Sequence, residues 1–477
     1  MKINKPLLNI YSRYFIRIIF LLLILTTANP SLIRAEDKAK ATYDFINMEL
    51  LNPVFQKLYE LETSGTGKIN IVHIGDSHVQ ADFFPDAIRY NLQSIFGNGG
   101  YGFTFPYSLA KTNGTRHVRY KSNMEWRSAR NVFPVADIEI GLSGIGLHIN
   151  SNDFYIELTT DNQYEFNTIK VLYPTKEPCF NLTLFGDSLI SILGRQHAPA
   201  KKTYYKVKSG DTLYRIASKY SVSVESIKRA NKLRTDNINS GQTLLIPDRG
   251  TNQQIVTNKP LKQLVVKDTL PLYDDLFMSV YNSAEVLDKI FILPNKKYQE
   301  YNLNGIILEN DLPGLIYHTI GVNGTKAWDY NKFPIFFEQL NILTPDLIII
   351  SLGTNESFNK VTVSEYMSEM RRMIENIRSK NIGCPILIMS PPPSLLRRKI
   401  PNTLAENYSK ALLQIKDCIV WDLFAKMGGV SAPTRKENIP LIARDKVHYT
   451  KEGYLLQGNL FSSDFLLAYE NYKKNIR

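Results

Sequence analysis

"INIVHIGDSHVQ" occupies Ile69–Gln80. The apolar run Ile69–Ile74 has the length and β-branched content of a strand buried on both faces, and Gly75-Asp76-Ser77 stops it. Pro85 then leads into Ala87, Ile88, Leu92, Ile95 and Phe96 at helical spacing. Strand, sharp turn and helix predict the first unit of a doubly wound α/β sheet. The serine then sits at the carboxyl end of a parallel strand, where such sheets bind their ligands.

Four more runs have the same character: "GLIYHTIGV" (Gly314–Val322), "DLIIISLG" (Asp346–Gly353), "PILIMS" (Pro385–Ser390) and "CIVWDLF" (Cys418–Phe424). Helical patterns alternate with them. Val361–Ser379 places Met367, Met370, Ile374 and Ile377 on one stripe, read as core packing, and Thr403–Ile415 is the next helix. The second strand arrives only after a gap of about two hundred residues beyond the first helix. Surface loops tolerate insertions of that length at modest entropic cost, so the gap is expected to hold inserted domains.

The gap has two textures. Tyr101–Gln196 shows short alternating stretches, such as "DIEIGL", "DFYIEL" and "NTIKVLY", broken by Gly, Asn, Asp and Pro, and Gln254–Leu312 resumes them. One interrupted β-sandwich is expected. The interruption is "YYKVKSGDTLYRIASKYSVSVESIKRANKLRTDNINSGQTLLIPD", Tyr204–Asp248, whose pattern predicts β-α-α-β. "RQHAPAKK" before it and "DRGTNQQ" after it read as linkers. Through "SGDTLYRIA", "AN" and "GQTLLIP" the segment resembles the LysM module over its whole length. The resemblance implies binding of glycan containing N-acetylglucosamine, above all peptidoglycan. It places a groove at Gly210, Asp211, Thr212 and Leu213, with Asn237 and Ile238 opposite. A module serving only as a spacer is the plainer reading.

Gly-Asp-Ser occurs twice, the second time in "FNLTLFGDSLISIL" (Phe180–Leu193). Ser188 follows a strand-like run, but "LISILG" meets Gly194 and a linker, leaving no room for a crossover helix. It is read as a turn residue of the β insertion. Ser77 has both strand and helix, and a nucleophile needs that turn, which exposes its hydroxyl beside backbone N–H groups.

The other strand ends complete the pattern. "IGVNGT" offers Gly324, which can bring its N–H close to a ligand, and "LGTNES" offers the Asn355 amide as a second donor. "RDKVHYTKEGY" carries Asp445 and His448, a separation at which a carboxylate can orient an imidazole. His448 would take the Ser77 proton and return it to a leaving alcohol. Singly these are a bend, a turn residue and a solvated charge pair; His73 and His318, in strands, are read as packed.

Together the four blocks resemble those of the SGNH (GDSL-type) hydrolases, over about Lys68–Tyr101 and Gly314–Leu467. The resemblance implies Ser77 as nucleophile, His448 as base, Asp445 as its orienting acid, and an oxyanion hole from the Ser77 N–H, the Gly324 N–H and the Asn355 amide. It implies a flavodoxin-like three-layer α/β/α domain. His78 stands where the family usually has leucine. "GDSH", the glycine-rich "FGNGGYG" and a β domain inserted after the first block are similar to bacterial peptidoglycan O-acetylesterases, which act on the C6 hydroxyl of N-acetylmuramic acid.

Bulk properties set the rest. The 477 residues are 44% hydrophobic and 21% charged, a globular composition. A net charge of +12 comes without a long basic run, and no nucleic-acid partner is expected. Of three cysteines, Cys384 and Cys418 fall in strand-like segments as buried thiols, and no zinc-type spacing occurs. Lys2, Lys5, Arg13 and Arg17 precede the apolar "IIFLLLILTTA" (Ile18–Ala28). This is the form of a secretory signal peptide, with cleavage after Ala35 or Ala28 and no membrane span afterwards.

The expected organisation is a signal peptide over 1–35, hydrolase domain over 40–100 and 313–477, β-sandwich over 101–200 and 254–312, and LysM over 204–248. The expected function is that of an exported serine esterase of the periplasm or cell envelope, which removes O-acetyl groups from peptidoglycan or a related acetylated glycan without metal or cofactor. The readings beside it are an SGNH-type polysaccharide O-acetyltransferase, an esterase of other acetylated polysaccharides, a metallophosphoesterase and a wall-binding protein without catalysis.

Overall fold

The computed structural model describes residues 45–184 and 278–476 and, between them, 203–208, 211–220, 224–231, 233, 235, 238–246, 268–269 and 273–275. The expected signal peptide, Ser188, Gly210 and Asn237 lie outside the described residues. Two compact units are present, Thr183–Thr269 and the rest.

In the larger unit the five expected strands form one sheet. They are β2 (Lys68–Gly75), β3 (Gly314–Gly321), β4 (Leu347–Ser351), β5 (Ile386–Met389) and β6 (Ile419–Trp421), after a short edge strand, β1 (Phe45–Ile46). The order is β1-β6-β5-β4-β2-β3. All five long strands run parallel, and β1 pairs antiparallel with β6 through Phe45 and Trp421. This is the flavodoxin-like order with an added edge. The edge strand and the helix after it, α1 (Asn52–Ser64), were not foreseen.

Residues alternate across the sheet, so each strand feeds two cores. Ile71, Tyr317, Ile349, Leu387 and Trp421 pack with Phe55 and Leu58 of α1, with Phe84, Ile88 and Leu92 of α3 (Phe83–Phe96), and with Phe461 and Phe465 of α6 (Lys451–Asn475); the one-turn helix α2 (Ser77–Gln80) precedes α3. α4 (Val363–Arg378) and α5 (Thr403–Leu412) form another layer, where Tyr366 stacks on Tyr408 with centroids 4.1 Å apart.

The α4 stripe differs from the one expected. Tyr366, Met370, Met373 and Ile377 are buried, whereas Met367 and Ile374 are half-exposed. Tyr366 rotates the helix: besides stacking, its hydroxyl donates to the Leu352 carbonyl at the end of β4. A helix read by apolarity alone finds Met370 and Ile377, includes Met367 and Ile374, and leaves out Tyr366 and Met373.

The β insertion builds three sheets from antiparallel pairs. One contains Tyr273–Asp275, Met278–Leu287, Phe166–Leu172, Gly305–Glu309 and Gly102–Thr104, and a second contains Phe180–Leu184, Lys289–Pro294, Ile156–Thr160 and Val118–Ser122. A smaller one holds Tyr301–Leu303, Ile145–Ile149 and Arg127–Arg130.

The smaller unit is β-α-α-β. Strands Thr203–Lys206 and Thr243–Ile246 pair antiparallel around helices Leu213–Tyr220 and Val224–Ala230. Val207, Leu213, Ile216, Ala217, Ile227, Leu244 and Ile246 are its core. The Asn231 side chain locks the second helix to the closing strand, donating to the Ile227 and Leu245 carbonyls and accepting from the Leu245 N–H.

Of the cysteines, Cys418 is buried and Cys384 only half-buried, and both are free.

Candidate active site

β2 lies between β4 and the edge strand β3, and its end is aligned with theirs: Gly75 lies opposite Gly321 and Ser351. A side chain at Gly75 would meet Val79 at 2.3 Å and the Ser351 carbonyl at 2.9 Å. Glycine lets α2 fold back onto the strand and present Ser77 at its first position. Asp76 caps the turn by accepting from the His78 N–H at 2.9 Å.

The loop bearing Asp445 and His448 meets this turn across 371 residues of sequence. Ser77 Oγ lies 2.8 Å from His448 Nε2, and His448 Nδ1 lies 2.7 Å from Asp445 Oδ2. With Nδ1–H directed at the carboxylate, Nε2 is the acceptor for the serine hydroxyl. The other carboxylate oxygen, Asp445 Oδ1, accepts from the backbone N–H groups of Val447 and His448, both at 2.9 Å. Partial burial would raise the Asp445 pKa, but the imidazole and the two N–H groups outweigh it and bring it down to about 2. The carboxylate is thus ionised and oriented. Lys446 takes a left-handed φ of 65° between the two partners, a local bend that the three-residue spacing alone does not reveal.

Gly324 has φ 85°, and open space surrounds the place where its side chain would be. The Asn355 amide nitrogen is occupied, donating to the Thr325 carbonyl at 2.9 Å and to Asp76 Oδ2 at 3.3 Å. The segments bearing Ser77, Gly324 and Asn355 are therefore joined through Asp76 and Thr325.

Residues to which the sequence analysis gave no role hold this corner. Asp76 and Glu356 are each 1% exposed. Glu356 accepts from the Ala327 N–H at 2.9 Å, while its second oxygen has no hydrogen-bond partner among the described residues. Burial pushes both carboxyls up to about 7 against their hydrogen bonds. His78 is buried with Nδ1 3.0 Å from the Tyr454 hydroxyl and its ring centroid 5.2 Å from that of His448. Burial, then the nearby His448, push its pKa down to about 3, so a neutral imidazole flanks that of His448. Gln80 accepts from the Asn323 N–H at 2.6 Å and donates to Thr112 and Asn113 of the β insertion, bracing the loop before Gly324. His73 and His318 are packed as expected, 0% and 1% exposed.

In the smaller unit, Asp211 accepts from the Tyr205 hydroxyl and the Lys208 N–H, both at 2.8 Å, and Thr212 accepts from the Arg215 N–H. Both side chains hold the loop in shape. Leu213, expected to line the groove, is 2% exposed, its side chain in the core of the unit. Ile238 is partly buried against the same core.

The flavodoxin-like sheet thus carries the Ser77–His448–Asp445 line at the carboxyl ends of its strands. In agreement, residues 304–456 match the GDSL-like Lipase/Acylhydrolase family and residues 205–247 match the LysM domain. The chain therefore carries a GDSL-type hydrolase domain and a LysM module. A solved structure titled "Peptidoglycan O-acetylesterase in action, 5 min" aligns with a TM-score of 0.59 and 18% identity, over 88% of this chain and 96% of that one. That likeness is one of fold. Among curated proteins, a probable N-acetylmuramidase of Lactococcus lactis subsp. cremoris is 40% identical over 62 residues, 13% of each chain. Membrane-bound lytic murein transglycosylase D of Escherichia coli (strain K12) is 37% identical over 68 residues, 14% of this chain and 15% of the relative. The chain thus spans about one seventh of the length of these curated relatives.

Proposed function

We propose that the protein is an exported serine esterase that removes O-acetyl groups from peptidoglycan, at C6 of N-acetylmuramic acid. The observation that carries this reading is the unbroken hydrogen-bonded line from Ser77 through His448 to Asp445. His448 Nε2 takes the serine proton as Oγ attacks the acetyl carbonyl. The oxyanion is met by the N–H groups of Ser77 and Gly324 and by the Asn355 amide, which trades its long bond to Asp76 for the new acceptor. Collapse releases the sugar hydroxyl, which receives the proton from His448. Water, activated by the same imidazole, then splits the acetyl-enzyme into acetate and free serine.

The glycan assignment rests on the LysM module, with the likeness in fold to a peptidoglycan O-acetylesterase beside it. A small acyl group offers little to bind, so specificity should come from contacts with the polymer. Export rests on the basic and apolar leader over residues 1–35.

The test is acetate release from native peptidoglycan compared with base-deacetylated peptidoglycan. The native polymer should yield acetate, Ser77→Ala should yield none, and removing Tyr204–Asp248 should raise KM while sparing hydrolysis of small aryl acetates. Activity on aryl acetates with no acetate from the wall would reject the substrate assignment. Amino-terminal sequencing of the mature protein checks the leader.

A further inference from the structure

β5 ends at Met389 and the chain then forms a small hairpin, Leu395–Leu396 pairing with Ile400–Pro401. Its tip is Arg397, Arg398 and Lys399, three consecutive exposed cations. None has an ion-pair partner among the described residues. Arg397 and Arg398 have φ of 48° and 62°, a left-handed backbone that tight hairpins normally assign to asparagine or glycine. Each such non-glycine residue costs about 1 kcal/mol or more, a strain found where function requires the side chain.

The stem fixes where those charges stand. The Leu395 N–H donates to the Lys446 carbonyl, inside the loop that carries Asp445 and His448, at 2.8 Å. The Tyr449 hydroxyl, one residue past His448, donates to the Pro393 carbonyl at 2.8 Å. On the other side, buried Asn402 donates to Ser394 Oγ and to Ser357 Oγ, two residues past Asn355. The hairpin is therefore anchored between the base and a proposed oxyanion donor. Arg444 and Lys446 add cations on the loop beside it, and Arg444 is exposed. A cluster of cations beside a reacting centre raises the local concentration of oppositely charged substrate.

We propose that the Arg397–Lys399 hairpin is a binding site for carboxylates carried by the substrate polymer, so that the enzyme prefers acetylated glycan bearing anionic peptide stems over the bare acetylated glycan. This deepens the deacetylation reading and rests on it. The guanidinium groups take carboxylates two-pronged, while the small acetyl ester sits at Ser77. Uronic-acid polysaccharide offers the same carboxylate chemistry, and the assay separates the two.

The test uses the full chain and the variant Arg397→Asn, Arg398→Gly, Lys399→Gln, whose residues suit the turn. The readout is the ratio of kcat/KM on acetylated peptidoglycan to kcat/KM on a neutral aryl acetate. The variant should lower this ratio about tenfold through KM and flatten its dependence on salt. Amidase removal of the stems should cost the wild type a similar factor and leave the variant indifferent. Loss of the preference on acetylated uronic-acid polysaccharide instead would assign the site to that source and overturn the stem assignment. An unchanged ratio and salt slope would overturn the site itself. If the wild type releases no acetate from peptidoglycan, the deacetylation reading fails separately. The hairpin is then judged by calorimetric titration with polyglutamate, where binding about tenfold weaker in the variant supports it and equal binding refutes it.

Discussion

Two carboxylates flank Ser77, and they are held in opposite ways. Asp445 is about half exposed, yet three hydrogen bonds from the imidazole and two backbone N–H groups keep its pKa at about 2. Asp76 is buried and accepts from the His78 N–H and the Asn355 amide, but burial wins and its pKa rises to about 7. The difference leaves the carboxylate beside the imidazole fully charged and the one beside Asn355 titrating near neutrality, which bears on the proposed acyl transfer. A permanent anion next to Asn355 would oppose the charge that develops during acyl transfer. Placed beyond the imidazole, an anion stabilises the protonated His448 that forms in the same step.

Breaking the charged side should have the largest effect. Asp445→Asn should reduce kcat by roughly 10⁴-fold, as loss of the orienting acid leaves the imidazole in the wrong tautomer; kinetics with an aryl acetate will measure it. Asn355→Ala comes next, with a loss of roughly 10²–10³-fold in kcat if its amide meets the oxyanion. A loss of less than tenfold would remove it from the proposed hole. Asp76→Asn should cost about tenfold in kcat, since it turns one acceptor of the Asn355 amide into a donor. The accompanying KM on small esters should stay close to that of the wild type.

The buried side should be read most cleanly through stability. Asp76 and Glu356 have ordinary values of 3.8 and 4.5 and folded values of about 7. Between pH 4 and 7 the folded protein keeps protons that the unfolded chain has lost, so stability falls as pH rises through this window. Glu356→Gln should flatten that slope in urea unfolding measured from pH 5 to 8. Asp445, with a depressed pKa, acts with the opposite sign: its contribution is present above about pH 4 and is lost as pH falls toward 2. The smallest effect belongs to the other Gly-Asp-Ser. Ser188→Ala should leave aryl acetate turnover unchanged, and a large drop would reverse the choice of serine.

The charged side of the corner was legible in the sequence and the buried side was not. Ser77, Asp445 and His448 sit in short patterns at the ends of apolar strands, so neighbours in sequence reveal them. The bond from Asn355 to Asp76, and the one from Ala327 to Glu356, join segments far apart in the chain. No local pattern predicts which carboxylate will be enclosed by them. Arg89 on α3 makes the same point. It is fully buried, bonded to Asp82, Asp86 and Thr319 with its guanidinium over the Tyr101 ring, and no sequence pattern singled it out. The β insertion closes over that helix face, and only the fold tells this.

The place of β2 between β3 and β4 also bears on how the chain is made. Its two neighbours, β3 and β4, begin at Gly314 and Leu347, so both edges of β2 stay bare while everything between is synthesised. At about 5–20 residues per second, translation of that interval takes roughly 12–50 seconds. Throughout it the nascent Ile69–Ile74 segment is an open template for pairing with other chains. A message broken before Gly314 would leave that template uncovered for good, so truncated products of this gene should aggregate rather than fold.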